Sequence, residues 1–169
     1  SDTSIISYYN IVNNSRRNIG LPDTIKKSLY RPGEGSFSTS KEVHYNTNGT
    51  ISYMYQDKGS NEEIKKEYTY DSFGNVTKEK VIATNDSMIE SSNMRYRETV
   101  FRYSADGRYM TSKTNPVGFI DSMVYQPELG LLVREIDVNN NIFTLYEYDG
   151  LGQLVSITIP EGVKSIQGL

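Results

Sequence analysis

Few side chains in this sequence have the type and spacing that chemistry needs. His44 is the single histidine, and no cysteine is present. Neither a zinc site nor a nucleophile with a histidine base and its orienting partner can be assembled around it. Asp71 and Asp149 could be paired on paper as the two carboxylates of a glycosidase. Each, however, follows a tyrosine at the head of its own turn, where an aspartate serves the backbone. Asp137, Asn139 and Asn141 copy the opening of a calcium loop, but the position that needs glycine is Ile142 and the one that needs glutamate is Tyr148. A turn is the expected structure there. The tyrosines remain. Tyr53/Tyr55, Tyr68/Tyr70 and Tyr146/Tyr148 are spaced so that each pair shares one strand face. Flat rings bearing hydroxyls, with Asp or Asn nearby, suit stacking against a sugar; ladder packing across strands explains them without a ligand. No catalytic residue, cofactor or metal ligand is expected, and the chain reads as non-enzymatic.

The elements that carry these tyrosines repeat. Five segments share tyrosine, a few turn-forming residues and then glycine: Tyr45 to Gly49, Tyr70 to Gly74, Tyr103 to Gly107, Tyr125 to Gly130 and Tyr148 to Gly152. Successive glycines lie 25, 33, 23 and 22 residues apart. A strand-like run precedes each tyrosine and another follows most of the glycines, as in Leu154–Ile159, where Val155, Ile157 and Ile159 alternate with Ser156 and Thr158. Asp71 and Asp149 are expected to start their turns by accepting backbone N–H groups, and Gly74, Gly107, Gly130 and Gly152 to supply positive φ. Each unit is therefore a β-hairpin, marginal alone and stable only beside its neighbours. Asn115-Pro116-Val117-Gly118, the Asp137–Asn141 stretch and Pro160-Glu161-Gly162 punctuate the units.

Composition agrees. Tyrosine is abundant, with 14 Tyr against 5 Phe and no Trp, and apolar residues make up 36%. That fits half-buried strands better than a compact helical core. With a net charge of −3 nothing draws the chain to nucleic acid, and no apolar run is long enough for a membrane span. The abrupt Ser1 start reads as a cut boundary or a mature end, and the abrupt end at Leu169 as a truncation.

These units resemble the RHS/YD-repeat family of bacterial surface and secreted proteins, to which animal teneurins are related. Tyr70-Asp71 with Gly74-Asn75, and Tyr148-Asp149 with Gly152-Gln153, fit the family's unit best, and the likeness runs from about residue 19, at Ile19-Gly20-Leu21-Pro22, to 162. Gln153 where Arg is usual, Ser104 after Tyr103 and a degenerate first unit around Gly49 are departures from it. The resemblance implies an all-β fold: consecutive antiparallel hairpins forming an elongated curved sheet, an arc of an RHS-type shell. On this reading residues 1–42 supply leading strands (Ile5–Val12 and Thr24–Tyr30) with a Pro32-Gly33 turn and a loop after it, and residues 43–169 supply about five hairpin units. The implied role is a non-catalytic structural segment of a larger extracellular or cell-surface bacterial protein. Its partners would be neighbouring repeats, with self-association through sheet edges. The alternative is an adhesive module that binds carbohydrate or protein through a tyrosine-lined face. The family's region preceding a variable C-terminal cargo is missing from these residues, so no toxin cargo is assigned.

Overall fold

The computed structural model describes residues 2–12, 17–31, 35–83, 96–159 and 162–163. The chain is all-β, in two compact units, Ser1–Glu98 and Thr99–Leu169. The first unit holds β1 (Asp2–Val12), β2 (Arg17–Arg31), β3 (Gly35–Tyr45), β4 (Ile51–Gln56), β5 (Ile64–Tyr70), β6 (Val76–Ala83) and the start of β7 (Tyr96–Tyr103). The second holds the rest of β7, then β8 (Met110–Thr114), β9 (Ile120–Gln126), β10 (Leu131–Asp137), β11 (Ile142–Tyr148), β12 (Leu154–Ile159) and β13 (Gly162–Val163). Within each unit every strand pairs antiparallel with its neighbour in the chain, and the sheet does not close. There is no helix among the described residues, hence none long and apolar enough to cross a membrane. The expected all-β run of consecutive hairpins is the fold observed.

The turns explain the repeat. At Asp71 the backbone N–H donates to Asn75 O (3.0 Å) while Gly74 N–H donates back to Asp71 O (3.2 Å). The same pair of bonds closes the turns headed by Asn46, Asn115 and Asp149. This is a tight turn followed by a left-handed glycine and a one-residue bulge. Gly74 and Gly152 take φ of 92° and 79°, a region costly for any residue with a Cβ. Gly49, Gly107 and Gly130 are also positive, at 88°, 72° and 69°. The Asp71 carboxylate accepts from Phe73 N and Asn75 N, both at 2.9 Å, and Asp149 does the same with Leu151 N and Gln153 N. Asp137 accepts from Asn139 N (3.0 Å), Asn140 N (3.1 Å) and the Asn140 amide (2.6 Å), so its carboxylate is spent on its own turn.

These bonds favour the ionised form. Partial desolvation works to raise the Asp71 carboxyl, but donors from Asn75, Phe73 and Gly74 outweigh it and hold it below its ordinary 3.8. Asp106 and Asp137 are lowered as well, chiefly by the Ser104 hydroxyl and the Asn140 amide respectively. A carboxyl lowered by folding contributes stability that is complete above its unfolded pKa and disappears as pH falls through the folded one. Urea midpoints should therefore stay level from neutral pH to about pH 5 and fall below about pH 4. Asp71→Asn should shrink that acid loss in a pH series of urea melts.

Five of the strand pairings also carry an extra residue soon after a glycine. The pairing skips Asp23, Ser52, Thr77, Val133 and Val155, each three residues past Gly20, Gly49, Gly74, Gly130 or Gly152. Gly20, with φ of 74°, lies inside β2 and precedes a skip of the same kind by three residues. The Pro32-Gly33 and Pro160-Glu161 turns lie outside the described residues. The loop expected after residue 34 is instead strand β3, paired with β2 from Arg31↔Gly35 to Thr24↔Glu42. Its Gly, Ser and Thr residues have weak strand preference alone, and the partner strand supplies the ladder that overrides it.

The core is thin. Val43, 5% exposed, is the buried hydrophobic residue among those described. It sits opposite Met54 on β4, and Met54 sits opposite Lys66 on β5. Residues such as Phe37, Phe73 and Leu151 remain exposed.

Candidate functional site

The six tyrosines marked as ring platforms fall into different environments. Strand alternation puts Val43, Met54, Lys66 and Tyr68 on one face of the first unit, and Glu42, His44, Tyr53, Tyr55, Lys65 and Glu67 on the other. Tyr68 lies with its hydroxyl 3.9 Å from Met54 Sδ. Tyr70 donates its hydroxyl to Ile51 O at 2.7 Å. In the second unit Tyr148 donates to Leu132 O at 2.8 Å, and Tyr146 reaches Glu135 Oε2 at 3.1 Å.

One rule links the backbone-bonded tyrosines. Tyr45, which opens the first repeat turn, donates to Pro22 O at 2.7 Å. Pro22, Ile51 and Leu132 each lie two residues after a glycine of positive φ and immediately before a skipped residue. The bulge takes one carbonyl out of regular ladder pairing, and the tyrosine of the next unit bonds it. Each such tyrosine therefore ties its hairpin to the one before. Tyr125 departs from the rule: its ring stacks on Tyr109, centroids 4.9 Å apart and 19° between planes, and Tyr109 donates to Pro127 O at 3.3 Å.

Tyr53 and Tyr55 belong to a cluster built by register. His44 pairs across to Tyr53, and Glu42 to Tyr55. The His44 ring stacks on Tyr53 at 4.3 Å, while Tyr53 and Tyr55 meet edge to face, 5.8 Å between centroids and 82° between planes. Lys65 Nζ lies 4.7 Å from the Tyr53 centroid and Lys58 Nζ 4.9 Å from that of Tyr55. Glu42 is bonded by Lys58 (2.8 and 2.9 Å) and by His44 Nε2 (2.6 Å); Glu67 is bonded by Lys65 (2.6 Å). Lys58 pulls the Glu42 carboxyl below its ordinary value, with His44 helping, against the opposing effect of burial. Glu67 in turn raises the Lys65 ammonium.

This cluster gathers rings and paired charges on one sheet face. The one imidazole faces a carboxylate, and no hydroxyl or thiol stands hydrogen-bonded to it as a nucleophile. No group of three potential metal ligands converges among the described residues. Sequence reasoning found the tyrosines by spacing but missed His44 on Tyr53 and Tyr109 on Tyr125. Both contacts depend on register, for which the spacing of tyrosines within one strand gives no signal.

No protein-family model matches the chain, and no curated protein does. Solved structures do match by fold. The Photorhabdus luminescens Tc holotoxin pore superposes with a TM-score of 0.62 at 16% identity, over 83% of this chain and 7% of that one. A TcdB2-TccC3 crystal structure without its hypervariable C-terminal region gives 0.63 at 15% identity, over the same shares. These are Tc toxin chains that contain RHS/YD-repeat shells, so the resemblance read from the tyrosine turns is met at the level of fold. The chain spans a small fraction of the length of the proteins it matches.

Proposed function

We propose that this chain is a non-catalytic architectural segment of a larger bacterial cell-surface or secreted protein, a run of RHS/YD-type hairpins forming part of a β-shell. The observation that carries this reading is the repeated bond from a tyrosine hydroxyl to the bulge carbonyl of the preceding hairpin, at Tyr45, Tyr70 and Tyr148. A device of that kind joins unit to unit and serves no ligand. The thin core supports the same reading, because a single open sheet gains its stability from the next repeat along. Its partners are further repeats. An open edge strand is also a surface on which a second copy can pair.

The adhesive alternative rests on a specific observation too, the half-exposed Tyr53, Tyr55 and His44 rings gathered on one face. A glycan-array screen of the purified chain separates the two readings, run beside Tyr53→Ala/Tyr55→Ala, Tyr68→Ala/Tyr70→Ala and Tyr146→Ala/Tyr148→Ala variants. The scaffold reading expects no selective signal from folded protein. Selective binding that vanishes in a variant retaining its β-sheet circular dichroism would replace it with the adhesive one.

A further inference from the structure

The face of the first unit opposite the His44 cluster holds an open groove of about 460 Å³. Ile25, Met54 and Ile64 contribute its apolar surface; Lys27, Lys41 and Lys66 also line it, and no carboxylate does. Three lysines elsewhere in the unit are paired. Lys58, Lys65 and Lys78 are each bonded to a glutamate, at 2.8, 2.6 and 3.0 Å. Lys66 shares Glu79 at 3.2 Å. Lys27 and Lys41 have no carboxylate partner among the described residues. Two uncompensated ammonium groups beside apolar side chains repel each other and leave the groove positive, in a chain whose net charge is −3.

We propose that this groove binds an extended acidic peptide segment with carboxylates at alternate positions and an apolar side chain beside them. Register sets the spacing. Ile25 pairs with Lys41 and Lys27 pairs with Thr39, so the two lysines are diagonal neighbours across β2 and β3. Such diagonals are about 7–8 Å apart, close to the roughly 6.6–6.8 Å between alternate residues of an extended chain. Two carboxylates of one strand-like segment can thus each meet a lysine. An apolar side chain two residues past the second carboxylate points the same way and then covers Met54 and Ile64. An open groove favours an extended peptide over a lipid tail, which needs an enclosed cavity to escape water.

The test is fluorescence anisotropy of the 169-residue chain with a fluorescein-labelled peptide of sequence GSESESLG, whose two Glu and one Leu alternate onto one face, and its glutamine counterpart GSQSQSLG. The expected result is binding of the acidic peptide that weakens with added salt, and binding of the glutamine peptide weaker by about tenfold or more. Lys27→Glu/Lys41→Glu should lose about tenfold or more, and Lys27→Ala/Lys41→Ala should lose affinity in the same direction. Lys113→Glu in the second unit should leave it within about twofold. The proposal is overturned if GSESESLG fails to bind up to about 1 mM, if the glutamine peptide binds equally well, or if the lysine variants, folded by circular dichroism, bind as before. It is overturned in favour of a second copy as occupant if sedimentation shows a dimer that the lysine variants abolish and the peptide does not displace.

Discussion

Val43→Asp is expected to unfold the Ser1–Glu98 unit under conditions in which the unsubstituted chain is folded. Val43 is 5% exposed and packs in the row of Met54 and Lys66 at the middle of its sheet. Removing the valine forfeits about 1.5–3 kcal/mol of apolar burial, and an aspartate there must either stay ionised in a poor environment or take up a proton, adding a further few kcal/mol. Small domains hold only about 5–15 kcal/mol in total, and a unit whose buried hydrophobic side chain among the described residues is Val43 belongs at the lower end. Val43→Ala should cost about 1–2 kcal/mol and leave the unit folded. Val117→Asp, at a turn position 75% exposed, should change stability by no more than about 0.5 kcal/mol. Urea unfolding followed by circular dichroism measures all three. An unchanged midpoint for Val43→Asp would mean that the core of this unit lies elsewhere.

The contrast between Val43 and the turns shows what the sequence could and could not reveal. Tyrosine, Asx and glycine act through local backbone chemistry, so their spacing announced the hairpins around Asp71 and Asp149 with strand limits close to those observed. Leu154–Ile159 matched the observed strand. Strand β3 was hidden because Gly35-Ser36-Phe37-Ser38-Thr39-Ser40 has little preference of its own and is held by pairing with β2. The faces were hidden for a related reason. Tyr53/Tyr55 and Tyr68 look alike along the chain, yet Met54, not Tyr53 or Tyr55, shares the face of Val43 and Tyr68. A bulge shifts a strand by one residue, and a one-residue shift exchanges the two faces. The bulges at Asp23, Ser52 and Val133 carry no shared residue type. The bonds from the tyrosine hydroxyls to the carbonyls beside them were therefore beyond reach, even though every participating tyrosine had been marked.

Those bonds make the second large prediction. Tyr70→Ala should destabilise the first unit by about 2–3 kcal/mol, below the ~3–5 kcal/mol of a fully buried aromatic because the ring is only half-buried. Tyr70→Phe keeps the ring and removes only the hydroxyl, leaving Ile51 O without its 2.7 Å donor, and should cost about 1 kcal/mol. A ring that merely filled space would give a phenylalanine variant as stable as the parent. The pH dependence gives an independent check. Burial, with the neighbouring Tyr68, raises the Tyr70 phenol above 10.0, and burial with Asp23 does the same to Tyr45. A phenol raised by folding contributes stability that is complete below its unfolded value and is lost as pH climbs through the folded one. Urea midpoints should therefore fall above about pH 10, and the fall should be smaller in Tyr70→Phe, which has no proton to lose at that position. The alkaline loss thus reports the burial of the Tyr70 phenol, while the phenylalanine penalty at neutral pH reports its bond to Ile51 O. If Tyr70→Phe were as stable as the parent at neutral pH, the hydroxyl of Tyr70 would not be tying its hairpin to the one before.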